Sequence, residues 1–310
     1  MMKKRSLNQV TQYWKTLQRP GWFTPRLPDN RRICTYLSAL TGLILWGTTG
    51  ISTATAQETR IAIAIDPEGQ TCLLGGGVNG AALSTDLLSK LLKPKQNFQL
   101  YSLRGRQSPI LWPIGPPKKI EEKTCSPHFR QPLSLTAAEI GVAQIAIFDS
   151  DGNSRIAVLP KTLTILNRKN EKYSRVLASF LERQKIKDVP LKISQLIQTD
   201  LDGDGKLEVI INAINTERGL DRKGEYSIVL IVREDDGKTK IDTVQNEITI
   251  EDSNMPAVLW ENTIAAIADI DGDGKMEIIM YGQFYHGQGW DLVNSNNMLK
   301  ERSVICGCGG

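Results

Sequence analysis

Two short stretches of this 310-residue chain carry carboxylates at a spacing that suits cation chemistry. Asp200, Asp202, Asp204 and Glu208 stand at positions 1, 3, 5 and 9 of one segment. Asp269, Asp271, Asp273 and Glu277 repeat the pattern 69 residues later. Alternate residues of a tight loop point inward, so the four acids of each copy converge. Gly203 and Gly205, like Gly272 and Gly274, fall at positions 4 and 6, where a sharp turn needs a residue without a Cβ. Converging carboxylates repel one another unless a cation sits among them. Oxygen-only ligands select a hard ion, and a flexible loop suits Ca²⁺ better than Mg²⁺. The main-chain carbonyls at position 7, Lys206 and Lys275, complete the expected shell. Asp149-Ser150-Asp151-Gly152-Asn153-Ser154-Arg155 reads as a degenerate third copy that is empty of metal, since position 6 is Ser154 and position 9 is Ala157.

Other chemistry is sparser. Gly75-x-Gly77-x-x-Gly80 matches a dinucleotide-binding fingerprint, and Arg104 and Arg106 could meet a 2′-phosphate, so an NADP-dependent reductase is one alternative. A hydrolase using the Asp200/Asp202 pair is another. A glycine-rich turn and a metal loop are the plainer readings of the two motifs. His128 and His286 are the only histidines, and no GxSxG or HExxH pattern occurs. His286 reads as a surface-turn residue. Tyr281, Phe284, Tyr285 and Trp290 read as packing rather than as a sugar platform.

The elements that must position these residues are mostly strands. Arg60–Ile65 alternates Ile with Ala, then Asp66–Gly69 turns the chain into Gln70–Leu74. Phe98–Leu103, Val142–Phe148 and Thr162–Leu166 are further short strands, and Ser227–Val232 with Lys240–Val244 makes a hairpin. Ser84 caps one expected helix, and Ser174–Ile186 has the spacing of a second. Leu103–Pro132, rich in Pro and Gly, is expected to be a long loop.

The residues beyond each acidic segment separate the metal-loop families. An EF-hand requires a bidentate Glu at position 12 and then a helix, and a dockerin loop also leads into a helix. Here position 12 is Ile211 or Met280, inside β-branched and apolar runs. Strands on both sides of the loops resemble the FG-GAP/VCBS repeat instead. Leu73–Gly80, Tyr101–Arg106, Glu277–Tyr285 and the terminal Cys-Gly pattern extend that resemblance to a group of secreted bacterial proteins. The resemblance implies a mainly β fold, an integrin α-like β-propeller or an open repeat of β-hairpin units, with one or two short helices and Ca²⁺ in the loops. It implies a protein or glycan ligand rather than catalysis. Repeats 51 and 69 residues apart leave room for about four or five units, too few for a seven-bladed ring.

Charge is divided unevenly. Residues 1–56 hold eight Lys/Arg and one acid, a net +7, whereas residues 57–310 hold 30 basic and 33 acidic groups, a net −3. The basic excess therefore belongs to the leader, and a nucleic-acid partner is not expected. Ile33–Ile51 is apolar and Ala54-Thr55-Ala56 is a cleavage pattern, so residues 1–56 read as a signal peptide or, uncleaved, as a single-pass membrane anchor. Residues 57–310 read as one β-rich domain, secreted, periplasmic or held at the cell envelope. In an oxidising space Cys72, Cys125, Cys306 and Cys308 allow three pairings, of which Cys72–Cys125 is favoured.

Overall fold

The computed structural model describes residues 58–121, 127–136, 141–150, 158–216, 222–235, 237–252, 261–284, 287–295 and 300–308, all within one compact unit. The chain runs through β1 (Thr59–Ile65), β2 (Thr71–Val78), β3 (Ala81–Ala82), helix α1 (Thr85–Leu91), β4 (Phe98–Ser102), β5 (Gly105–Leu111), the small pair β6 (Lys118–Ile120) and β7 (His128–Arg130), and β8 (Gln144–Asp149). Then come β9 (Leu163–Ile165), helix α2 (Glu171–Arg183), β10 (Ile193–Thr199), β11 (Glu208–Asn215), β12 (Tyr226–Asp235) and β13 (Lys238–Ile248). Last are β14 (Glu261–Ala268), β15 (Glu277–Phe284), β16 (Gly287–Asn294) and β17 (Lys300–Cys308). Every recorded strand pairing among the described residues is antiparallel, and the fold is mainly β, as the sequence predicts.

Three principal sheets result. The first has the order β3-β2-β1-β8-β4-β5, the second β13-β12-β11-β10-β9 and the third β14-β15-β16-β17. Side-chain alternation explains how they stack. In β1, Ile61, Ile63 and Ile65 point to a core shared with Leu88 of α1, while Ala62 and Ala64 point to the third sheet. Small residues meet small residues there: Ala265, Ala266 and Ala268 of β14 belong to the same cluster. The other face of the third sheet, with Ile264, Ile278 and Met280, packs on Ile197, Ile210, Val229 and Ile231 of the second sheet. The far face of the second sheet is covered by Tyr173, Leu177, Phe180 and Leu181 of α2. The third sheet in sequence is thus the middle sheet in space, and helices cover the two outer faces.

Several expectations shift. Leu103–Pro132 is not one long loop: β5 pairs along β4 as an outer strand, and β6 pairs with β7. Its Pro109 is tolerated because an outer strand has no partner on one side to receive an N–H. Helix α2 begins three residues before the expected Ser174, since Asn170 caps it by accepting from the Lys172 amide. It ends before Ile186, because Lys185 takes φ +66° and the amides of Lys185 and Ile186 turn back to Glu182 and Leu181. That is a Schellman turn with Lys where Gly is usual. The Ser84 cap stands as expected, accepting from Leu87. The favoured cysteine pairing is wrong: Cys72 bonds to Cys306, joining β2 of the first sheet to β17 of the third. Sequence spacing could not foresee that these strands face each other 234 residues apart. Cys125 lies outside the described residues. Among the described residues, no helix is long and apolar enough to cross a membrane.

Candidate metal centres

Each acidic segment connects two adjacent strands of one sheet: residues 200–207 join β10 to β11, and residues 269–276 join β14 to β15. Both loops fold the same way, held by their own main-chain amides. The position-1 carboxylate accepts from the glycines at positions 4 and 6: Gly203 and Gly205 donate to Asp200 at 2.7 and 3.1 Å, and Gly272 and Gly274 to Asp269 at 2.7 and 2.9 Å. These four glycines have φ between +79° and +88°, a region that L side chains rarely adopt. Glu208 accepts from the Leu201 amide and Glu277 from the Ile270 amide, at 2.8 and 2.9 Å. Leu201 and Ile270 at position 2 are buried and pin each loop to the core.

The acids converge, though not identically. In the first loop, oxygens of Asp200, Asp202 and Glu208 lie within 4.8 Å of one another. In the second, those of Asp269, Asp271 and Asp273 do. These spacings fall inside the roughly 5 Å that separates opposite oxygens of a calcium shell with 2.3–2.6 Å bonds. Asp204 and Glu277 stand outside the converging triads. Lys206 and Lys275 contribute main-chain N–H groups to Asp204 and Asp273, at 2.7 and 2.8 Å. Their ammonium groups lie beside acids, Lys206 on Asp235 at 2.8 Å and Lys275 near Asp273 at 4.0 Å. Of the degenerate copy, Asp149 and Ser150 are described and residues 151–157 lie outside the described residues, as does His286.

Two arginines complete the centres, and sequence reasoning passed over both. Arg60, fully buried, places Nη1 3.0 Å from Asp269 Oδ2 and Nη2 3.2 Å from Glu58, with Nε 3.6 Å from Asp149. The guanidinium therefore bridges the first acid of the degenerate copy and the first acid of the second loop. Arg233 stands 3.7 Å from both Asp202 and Glu208 and pairs with Asp242 at 3.1 Å. A signal existed for each. Arg60 shares its strand face with Ala62 and Ala64, and Arg233 shares its face with Val229 and Ile231, so period-2 alternation points both charges inward. Burial pushes the Asp269 carboxyl above its ordinary range, against the pull of Arg60 and of the Gly272 and Gly274 amides. Burial likewise raises Glu208, opposed by the Leu201 amide, raised further by Asp202 and opposed by Arg233.

The glycine fingerprint has a different place. Gly75 and Gly77 lie within β2, not in a turn. A Cβ on Gly77 would sit 2.5 Å from the Asp271 carbonyl oxygen, and one on Gly80 would sit 3.1 Å from that of Gly272. The segment presses its bare backbone against the second acidic loop. Asn79, at φ +52°, ties this cover to Glu58 through hydrogen bonds in both directions, of 2.9 and 2.8 Å. The second loop also docks sideways: the Asp269 amide donates to the Val158 carbonyl, and the Met276 amide donates to that of Leu201 in the first loop. Tyr281 and Trp290, ring centres 5.0 Å apart, are buried between the first and third sheets, as packing residues. Comparison with protein families, curated proteins and solved structures finds no match.

Proposed function

We propose that this chain is an exported, non-catalytic binding protein of the FG-GAP/VCBS repeat type, held in shape by two Ca²⁺ ions. The observation that carries the metal assignment is the pair of like-folded loops, each bringing three carboxylates to within 4.8 Å. Asp200, Asp202 and Glu208 would hold one ion and Asp269, Asp271 and Asp273 the other. The ions would supply charge neutralisation and cross-linking of each hairpin. The leader supports export, and the repeat resemblance supports ligand binding at the cell envelope. A nucleotide cofactor at Gly75–Gly80 is not favoured, because the backbone of the second loop fills the space over Gly77 and Gly80.

Isothermal titration with Ca²⁺ tests the metal. Two equivalents are expected for the purified chain, one for Asp202→Ala and one for Asp271→Ala, with both retained in Asp151→Ala. Absence of calcium heat, together with a melting temperature indifferent to chelator, would remove the metal from this reading. A glycan and envelope-protein binding screen with the same sample tests the ligand half.

A further inference from the structure

At the end of the stack away from the acidic loops, the β4–β5 turn of the first sheet approaches β9 and β10 of the second. A groove of about 430 Å³ opens there, lined by Leu103, Arg104, Ile165, Leu166, Arg168 and Gln195, with Asn167 and Ser194 beside them. Its floor is already fixed. Gln195 Oε1 accepts from Asn212 Nδ2 and from the Ile264 amide at 2.8 and 2.7 Å, and its Nε2 donates to the Ile264 carbonyl at 2.9 Å. Ser194 donates to the Asn212 carbonyl at 3.0 Å. Leu103, Ile165 and Leu166 provide an apolar wall, and Ile165 is 55% exposed.

The rim carries the informative charge. Arg104, from the β4–β5 turn, and Arg168, from the turn after β9, both line the groove and are exposed, and neither has an ion pair among the described residues. The buried Arg60 and the partly buried Arg233, by contrast, are held by acids. Guanidinium groups recognise planar or tetrahedral oxyanions through paired N–H bonds, and the wall beneath accepts hydrocarbon.

We propose that this groove is the ligand site of the protein and takes a small molecule or terminal group in which an oxyanion is joined to an apolar part. The assignment deepens the ligand-binding reading and rests on it, but it does not depend on calcium. Arg104 and Arg168 hold the oxyanion, and Leu103, Ile165 and Leu166 receive the apolar part.

Methyl and arginine Nε NMR spectra of the purified chain, titrated with hexanoate, hexyl sulfate, acetate and hexanol, test the site. Hexanoate and hexyl sulfate should shift Leu103, Ile165 and Leu166 methyls saturably, and their relative affinities separate carboxylate from sulfate ligands. Acetate and hexanol should each bind at least about tenfold more weakly, as expected for losing either half of the contact. The double variant Arg104→Gln/Arg168→Gln should lose at least about tenfold in hexanoate affinity, and Ile165→Ser should lose affinity with the arginines intact. Arg106→Gln, two residues beyond Arg104 in β5 and outside the groove lining, should bind as the parent does. Shifts that are unsaturable, or affinities equal in the double variant, would overturn the site. A screen ligand that binds the double variant undiminished would overturn the groove and leave the binding-protein reading intact.

Discussion

The two acidic loops carry nearly the same sequence and the same internal hydrogen bonds, yet they sit in opposite surroundings. The second is sealed on its Asp269 side: Asp269 and Glu277 are fully buried, β2 lies across it and Arg60 reaches it without any exposed surface, while Asp273 at the rim keeps 26% of its side chain exposed. The first lies at the surface, with Asp202 31% exposed and Arg233 standing off at 3.7 Å. Like motifs therefore face different electrostatic problems. In the sealed loop a buried guanidinium already offsets part of the charge. In the open loop water and a distant arginine share that task. Calcium should accordingly be the larger contribution to order in the first loop, and Arg60 the larger in the second.

Removing the two arginines separates these cases most sharply. Arg60→Met leaves Asp269, Glu58 and Asp149 without their buried partner and should cost about 3–5 kcal/mol, read as a fall in Tm of roughly 10 °C. Arg233→Met, at a partly solvated position, should cost about 1 kcal/mol or less. Equal losses in thermal melts of the two variants would erase the distinction between the loops. Saturating calcium should restore part of the Arg60→Met loss.

The disulfide offers the next test, because it joins the two sheets that enclose the sealed loop. Cys306→Ser should cost about 2–4 kcal/mol. Hydrogen exchange should then quicken at Gly274, in the sealed loop, more than at Gly205, in the open one. A third comparison uses glycines. Gly77→Ala puts a methyl 2.5 Å from the Asp271 carbonyl oxygen and should cost about 1–3 kcal/mol while weakening the proposed calcium binding at the second loop. Gly203→Ala meets nothing within 4 Å, so it carries only the strain of φ +79°, about 1–2 kcal/mol, and should leave the second site untouched. Chemical denaturation with calcium titration measures both.

The smallest effect concerns an acid remote from either loop. Asp66 accepts from the Glu68 and Gln70 amides at 3.0 and 2.7 Å and pairs with Gln288 Nε2. Burial nevertheless raises its carboxyl above the ordinary value of 3.8, with the Gln70 amide opposing and Glu68 adding. The folded state thus holds this proton more tightly than the unfolded chain does. The resulting stability is fully present below pH 3.8 and is lost as pH rises through the raised folded value. Asp66→Asn should flatten that part of the stability–pH curve by up to about 1 kcal/mol, equally with and without calcium. A dependence of the flattening on calcium would tie this end of the molecule to the loops.

Much of this architecture is written in short-range patterns. The Ile-Ala alternation of β1, the Ser84 cap and the position-12 residues Ile211 and Met280 each specify strand or helix from their immediate neighbours, and the structure agrees with them. The features that escaped depend on which strands face one another. Cys72 gives no local sign that Cys306 is opposite, and Gly77 gives none that its missing side chain makes room for Asp271. The Leu103–Pro132 stretch looked irregular because outer strands tolerate Pro and Gly that inner strands do not. Arg60 and Arg233 fall between these cases. Their inward direction was legible from alternation, but their partners lie on loops that only the sheet stack brings near.

The stacking order also dictates when the molecule can become itself. The sheet that fills the middle is the last to be synthesised, so a nascent chain lacking residues 261–308 presents the alanine face of β1 and the isoleucine face of β11 with nothing between them. Neither earlier sheet can bury its inner surface until β14–β17 arrives, and those contacts span long sequence separations that fold slowly. Completion of the core thus waits for the carboxyl end. Cys306, in the final strand, then locks the late arrival to the strand made among the first.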